Sequence, residues 1–435
     1  MSGLLIAAPA SGSGKTVVTL GLMRALRRRG LTVAPGKAGP DYIDPAFHTA
    51  ASGHACFNFD PWAMRPSFLR SQASRSMETG IFIVEAMMGL FDGAADGRGS
   101  AGDLAALLSL PVVLVVDCAR TSQSVAALVN GFSRYRPNVQ VAGVILNRVG
   151  SDRHEHMLRA AMAETDVPVL GCLRADPQLA LPERHLGLVQ AGEHGALEIF
   201  IEKAADAIEA GVDLDAVLTL ARQGEAAAAP TGAVFGIPPL GQRIAVARDI
   251  AFAFSYPHLL EGWLAQGAEL SFFSPLADET PAADADAIYL PGGYPELHAG
   301  PLASARRFHS AMTSAAERTV RIYGECGGYM VLGEGLIDGS GDRHSMLGLL
   351  PLVTSYAARK RHLGYRRLVS LAPHLFAGSF TAHEFHYSTV VSEGAADRLF
   401  GAADALGEPI GAVGLSRGSV AGSYMHLIDV AGEAS

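Results

Sequence analysis

The sequence predicts an α/β protein of two domains, each organised around a parallel sheet. Three features of the chain lead to that expectation. Apolar, β-branched runs alternate with amphipathic stretches from Leu4 to Leu173, the pattern of strands covered on both faces by helices. The segment GEAAAAPTG at 224–232 breaks the alternation and has the composition of a linker. A second alternating series starts near Gln242. The division expected is a first domain over 1–190, a helical segment and linker over 191–241, and a second domain over 242–435.

Taken in order, Leu4–Ala8, Thr32–Gly36, Ile81–Glu85, Pro111–Asp117, Val139–Asn147 and Val167–Leu173 read as buried strands of the first domain. Lys15–Arg29, Gln123–Arg134 and Asp152–Thr165 read as helices between them. From Gly192 to Gln223 the apolar spacing is helical. In the second domain Arg243–Arg248, Glu269–Ser274, Ala287–Pro291 and Val320–Tyr323 are the expected strands. Beyond Gly348 the pattern turns hairpin-like, with Phe380–His386 and Val420–His426 each read as one strand.

Bulk composition narrows the function classes. With 49% hydrophobic and 18% charged residues the chain has material for large cores, which excludes general disorder. Acidic residues outnumber basic ones, 43 to 34, and the net charge of −9 argues against a basic nucleic-acid face. Cys56, Cys118, Cys172 and Cys326 are far apart and form no CxxC pair, so neither a zinc knuckle nor a disulfide framework is expected. The N-terminus has no secretory pattern, and no apolar run approaches the ~18 residues of a spanning helix. A cytoplasmic protein that does not enter the membrane is the expectation.

APASGSGKT (8–16) follows a strand and opens a helix, the setting a phosphate-binding P-loop requires. Gly12, Ser13 and Gly14 would turn backbone N–H groups around an anion, and the helix adds its positive end. Lys15 would reach the β- and γ-phosphates of ATP, and Thr16 would ligate Mg²⁺. Pro9 stands where the first glycine of the usual motif would be. Four further segments end strands on the same crest, where open α/β sheets hold ligands. PGKAGPDYIDP brings Lys37, Asp41 and Asp44; VEAMMGLFDG brings Glu85 and Asp92; LVVDCA brings Asp117 in the position of a Walker-B acid; VILNRV brings Asn147, whose amide would read adenine. Thr16, Asp41 and Glu85 offer the hard oxygen ligands that Mg²⁺ prefers.

YGECGGYM (323–330) is a strand ending in Gly-x-Cys-Gly-Gly before a helix, the cysteine form of a nucleophile elbow. Cys326 would be the nucleophile, its thiolate favoured by the helix N-terminus. The Gly327 N–H and the glycine turn in LPGGYPE (290–296) would meet the oxyanion. His426 in GSYMHLID is the expected base. In TAHEFHYS, strand alternation puts His383 and His386 on opposite faces, so a structural role is expected there rather than a metal site. ARKRHLGYRR (358–367) is the densest basic cluster, either a carboxylate-binding surface or a solvated loop.

GECGGYM and SYMHL resemble the glutaminase elbow and histidine segment of class I glutamine amidotransferases. The usual glutamate two residues beyond the histidine is replaced by Ile428, which leaves open what orients His426; Asp429 is one candidate. APASGSGKT, GPDYIDP, VEAMMGLFDG, LNR, PGGYPE and EFHYS together resemble the a,c-diamide synthases of corrinoid biosynthesis over nearly the whole chain. The resemblance implies a dethiobiotin-synthetase-like P-loop domain followed by a class I glutamine amidotransferase-like domain. It implies ATP, Mg²⁺ and L-glutamine, a corrinoid tetrapyrrole substrate and a homodimer. The reaction implied is conversion of the a and c acetate carboxylates of hydrogenobyrinic or cobyrinic acid to amides, through an acyl phosphate. Asp44 would orient the substrate or take a proton from ammonia, and Lys37 would hold the γ-phosphate or the carboxylate. Cobyric acid synthase and nickel-sirohydrochlorin diamide synthase are alternatives within the resemblance. A partitioning-type ATPase switch is the alternative of another class, although such a switch has no use for a cysteine elbow.

Overall fold

A computed structural model describes residues 2–180, 183–184, 187–188, 190–193, 195–223 and 234–432. The chain divides into two compact units, the first ending at Val234 and the second starting at Phe235. The expected linker at 224–232 lies outside the described residues.

The first unit is built on seven strands: β1 (Gly3–Ala7), β2 (Val33–Ala38), β3 (Phe57–Phe59), β4 (Ile81–Glu85), β5 (Val112–Asp117), β6 (Val141–Val149) and β7 (Val169–Arg174). Their order is β3-β2-β4-β1-β5-β6-β7, and every ladder is parallel. β1, GLLIA, is buried along its whole length, as a central strand covered on both faces must be. The helices are α1 (Lys15–Arg28), α2 (Asp44–Ser52), α3 (Pro66–Thr79), α4 (Ala101–Leu108), α5 (Ser124–Tyr135), α6 (Asp152–Met162), α7 (Leu197–Gly211) and α8 (Leu214–Gln223). β3 and the helices α2, α3 and α4 went unnoticed in the sequence because their apolar positions are short or interrupted. α4 is nonetheless fixed by a reciprocal capping box between Ser100 and Asp103.

α7 and α8, the helices expected after Gly192, belong to this first unit. Arg24 pairs with Glu198 and Glu202, while Arg28 pairs with Glu202, Asp206 and Glu209. These contacts fasten α7 along α1, the helix that leaves the P-loop. A two-stranded piece, β8 (Glu183–Arg184) with β9 (Gly187–Leu188), precedes them.

The second unit opens with the parallel strands β10 (Arg243–Ala247), β11 (Glu269–Phe273), β12 (Ala287–Leu290) and β13 (Arg321–Glu325), with α9 (Pro257–Ala265), α10 (Ala299–Ser304), α11 (Arg306–Glu317) and α12 (Gly327–Leu332) between and after them. The strands that follow are β14 (Gly335–Ile337), β15 (Arg343–Ser345), β16 (Leu352–Ser355), β17 (His362–Ser370), β18 (Ser379–His386), β19 (Thr389–Glu393), β20 (Asp397–Ala403), β21 (Pro409–Arg417), β22 (Val420–Ser423) and β23 (Met425–Val430). Ten strands form one sheet in the order β11-β10-β12-β13-β22-β21-β20-β17-β18-β23, and β15-β14-β16-β19 form a smaller one.

One expectation is corrected here. Val420–His426 is not a single strand: it breaks at Tyr424 into β22, parallel to β13, and β23, antiparallel to β18. Consecutive residues therefore join the middle of the large sheet to its last strand, so the sheet curls upon itself. Tyr424 turns inward at the break, its ring stacked 3.7 Å from His386 and its hydroxyl accepting from Ser388 Oγ at 2.9 Å. Apolar patterning cannot register such a change of neighbours, because β22 is buried throughout and β23 at all but its last residue.

Candidate active sites

In the first unit the loop 8–14 joins β1 to α1. Gly12 and Gly14 have φ of 80° and 89°, left-handed values that glycine alone adopts freely. Gly14 precedes α1, which has no side-chain cap and no acid in its first turn, leaving its first N–H groups for an anion. Ser13 Oγ donates to the Ala10 carbonyl at 2.9 Å. Asn147 Nδ2 donates to the Ser13 carbonyl at 2.9 Å, and its Oδ1 accepts the Arg148 N–H at 2.9 Å. Asn147 thus braces the loop from β6, and it also lines a small pocket with Gly14, Val17 and Leu179. Lys15 is buried, and burial pulls its ammonium below the usual lysine range against the attraction of Glu85.

A cluster of charge lies beside that loop. Thr16 Oγ1 donates to Glu85 Oε1 at 2.7 Å. Lys37 Nζ is 3.0 Å from the same oxygen, 2.5 Å from Asp44 Oδ2 and 3.8 Å from Asp41 Oδ2. The sheet makes this arrangement: Lys37 and Glu85 are register partners in the parallel β2–β4 ladder, and Asp44 begins α2 just beyond β2. Asp41 Oδ1 caps that turn by accepting the Ile43 and Asp44 N–H groups. His48, one turn into α2, puts Nε2 2.6 Å from Glu85 Oε2. Nothing in the sequence marked His48, since a histidine on a short helix carries no signal of its own.

The charges are unequal. Burial opposes the Lys37 ammonium, but Asp44, Glu85 and Asp41 outweigh it and hold the group charged well above the usual lysine range. Burial likewise opposes the Glu85 carboxylate, and Lys37 and His48 overcome it, keeping Glu85 ionised. Asp44 goes the other way: burial and the neighbouring Asp41 raise it to about 7 despite Lys37. Three carboxylates and a threonine hydroxyl converge here, a set of hard oxygen donors suited to Mg²⁺. Asp117 is a correction. It does not join the cluster but pairs with Arg148 at 2.5 Å, because β5 lies on the far side of β1 from β4.

In the second unit Cys326 sits between β13 and α12 at φ 46°, ψ −101°, a conformation costing a non-glycine residue about 1–3 kcal/mol. Its N–H donates to the Ser423 carbonyl at 2.8 Å, and Gly328 N–H donates to the Pro291 carbonyl at 3.1 Å, so the elbow is tied to the ends of both neighbouring strands, β22 and β12. Gly292 explains the glycine turn opposite. A Cβ there would lie 2.4 Å from His426 Cε1, 3.0 Å from Nε2 and 3.3 Å from Cys326 Cβ. Cys326 and His426 therefore face one small space that a side chain at 292 would fill. A Cβ on Gly327 would lie 2.9 Å from Gly293 N, which puts the two expected oxyanion donors side by side.

The expectation of a thiolate is corrected. Burial, reinforced by Glu296, pushes the Cys326 thiol far above its usual range, and the Gly327 N–H only partly opposes this. Burial, with His383 and His386 adding, lowers His426 to about 3. Burial thus favours the uncharged form of both groups. The carboxylate of Glu325, the residue before Cys326, has Oε2 3.7 Å from His426 Nδ1. Asp429 instead caps its own strand, its Oδ1 accepting the Val430 N–H.

The motif TAHEFHYS divides between two faces. His383 packs its ring against Tyr365, while His362, Glu384 and His386 bring ligand-type atoms within 4.8 Å of one another. Arg366 grips Glu384 Oε2 through Nε and a terminal nitrogen at 2.8 and 2.6 Å. Burial opposes the Glu384 charge, but His386 and Arg366 prevail and lower it to about 2. The guanidinium already neutralises this carboxylate.

A P-loop unit followed by a cysteine–histidine unit defines an ATP-using, glutamine-dependent amidotransferase. Comparison with known proteins agrees. Residues 4–189 match the CobQ/CobB/MinD/ParA nucleotide binding domain, and residues 243–433 match the CobB/CobQ-like glutamine amidotransferase domain. The chain is 68% identical over 435 residues to a hydrogenobyrinate a,c-diamide synthase of Sinorhizobium sp, covering 100% of both chains. It is 65% identical to that of Rhizobium meliloti (strain 1021), covering 99% of each, and 52% identical to that of Rhodobacter capsulatus, covering 98% of each. The chain belongs to the hydrogenobyrinate a,c-diamide synthase family, whose glutamine-dependent amidation serves cobalamin biosynthesis. Among the described residues no helix is long and apolar enough to cross a membrane.

Proposed function

We propose that the chain amidates the a and c acetate carboxylates of hydrogenobyrinic acid, the metal-free ring, using one ATP and one glutamine for each. The observation that carries the reading is the Thr16–Glu85–Lys37–Asp44 cluster beside a P-loop, in a chain that also carries a cysteine–histidine pair on an elbow.

The P-loop N–H groups from Gly12, Ser13 and Gly14, with Lys15, hold the phosphates of ATP. Thr16, Asp41 and Glu85 would hold Mg²⁺, which when bound neutralises charge on the phosphates. A substrate carboxylate oxygen attacks the γ-phosphorus, ADP leaves, and the carboxyl carbon is now an acyl phosphate. Lys37 steadies the anionic centre. Ammonia attacks the acyl carbon, phosphate leaves, and Asp44 accepts the proton the new amide must lose; its pKa of about 7 suits a base at neutral pH. Asn147 keeps the loop in shape beside the small pocket that would take adenine.

In the other unit His426 takes the thiol proton as the Cys326 sulfur bonds to the amide carbon of glutamine. The same proton then goes to the departing ammonia. Gly327 and Gly293 N–H groups receive the oxyanion, and water hydrolyses the thioester. A buried neutral pair does this without holding a bare thiolate in a low-dielectric site.

The reading extends to a cytoplasmic protein and to a homodimer, the latter checked by light scattering of the purified protein. The function is tested by incubating the protein with ATP, Mg²⁺, glutamine and hydrogenobyrinic or cobyrinic acid, then weighing the products. A mass change for two amides on the metal-free ring is expected. Four amides, or turnover without loss of ATP, would refute the proposal.

A further inference from the structure

We infer that Glu325 positions His426, standing in from the nucleophile's own strand for the carboxylate that Ile428 replaces. The inference rests on the glutaminase reading above and adds a residue to it.

The geometry carries it. Glu325 and His426 are both buried, and Glu325 Oε2 lies 3.7 Å from His426 Nδ1, within ion-pair range once the imidazole is protonated. The carboxylate cannot drift. Tyr289 Oη donates to Oε2 at 2.8 Å, and Leu427 N–H donates to Oε1 at 3.1 Å. That second bond comes from the residue after His426, so the carboxylate is registered against the very backbone that carries the base. β13 ends in Glu325 and β23 carries His426. The curl of the sheet brings the two strands together, although they are not paired.

The other surroundings disfavour the imidazolium. His383 and His386 approach from β18 and disfavour its charge. Tyr256, before α9, faces the ring edge-on at 6.4 Å, and Cys326 lies across the space above Gly292. Glu296 and Glu384 act on the thiol of Cys326. Catalysis must nonetheless create a positive imidazole for the time between proton pick-up and delivery. A fixed carboxylate 3.7 Å from Nδ1 stabilises that state through its charge. Burial raises Glu325 itself to about 7, with the Tyr289 hydroxyl opposing, so its charge, and with it the orienting effect, is lost as pH falls below neutrality.

The experiment compares wild type, Glu325→Gln, Glu325→Asp and Cys326→Ser in glutamine-driven and ammonium-driven amidation across pH. Glu325→Gln is expected to lower glutamine-driven kcat at least ~10-fold with KM for glutamine little changed and ammonium-driven turnover intact. The acid limb of its glutaminase profile should move to lower pH, which a purely structural defect would not do. Glu325→Asp should fall between the two in rate and in limb position, and it serves alone if the glutamine variant does not fold. A wild-type rate and an unmoved limb in either folded variant overturn the inference while Cys326→Ser is inactive with glutamine. If Cys326→Ser still consumes glutamine, the glutaminase reading itself is what fails.

Discussion

The Lys37 ammonium lies 2.5 Å from Asp44 Oδ2, inside a ring of acids completed by Glu85 and Asp41. One buried cation thus serves three carboxylates. Removing it leaves the buried Glu85 and Asp44 carboxyls without their ammonium partner. Lys37→Met is therefore expected to destabilise the first unit by about 3–5 kcal/mol, read by chemical denaturation. Added Mg²⁺ should restore part of that loss, because the same oxygens would hold it. A variant as stable as wild type, with or without Mg²⁺, would show that the ring is not charged as described.

Asp44 gives a pH signature with a definite sign. Its folded pKa of about 7 lies above the 3.8 of an unperturbed aspartate, so the folded state holds the proton more tightly than the unfolded one. The strain of ionising it is absent below about pH 4, grows as pH rises, and is complete above 7. Asp44→Asn should be more stable than wild type at pH 8, by roughly 1–3 kcal/mol, and no more stable near pH 4, while losing amidation. Denaturation curves at the two pH values check this, and a pH-independent gap would contradict it.

The two nitrogen sources separate the two units. Cys326→Ser should abolish glutamine use yet keep turnover with high ammonium, because only the supply of nitrogen is lost. Lys15→Ala should stop amidation from either source, since no acyl phosphate forms. Product mass with each source reads both outcomes. A serine variant equally dead with ammonium would contradict the division of labour.

Gly292→Ala probes the space between Cys326 and His426 without removing a polar group. The new methyl would stand 2.4 Å from His426 Cε1, so the imidazole must move. Glutamine-driven turnover is expected to fall at least ~100-fold, in line with the cost of an ångström-scale misplacement, with ammonium-driven turnover unchanged. Wild-type glutaminase activity in this variant would mean that the ring is not held where it lies here.

The sequence was most legible where chemistry is local. The P-loop is a contiguous string, and the runs that became β1, β4 and β5 are short, apolar and punctuated, so each announced itself. Glu85 and Lys37 were legible as acids and bases at strand ends, but their pairing is a fact of register between strands 48 residues apart. His48 stayed hidden because its partner is reached through the fold and not through spacing. Glu325 was in plain view beside Cys326. Its relation to His426 depends on the chain leaving β22 at Tyr424 and joining the last strand of the sheet, which no hydrophobic period encodes. The thiolate expectation failed for a related reason: a helix end is visible in sequence, whereas the depth of burial that overrides it is not.

The positive φ of Cys326 has an evolutionary corollary. A side chain is tolerated at that turn only while its sulfur is useful, since glycine would relax the backbone there. Descendants of this lineage that abandon glutamine hydrolysis, and take ammonia from elsewhere, should drift toward glycine at the position and become harder to unfold. A glycine there would then be a fossil of lost glutaminase activity.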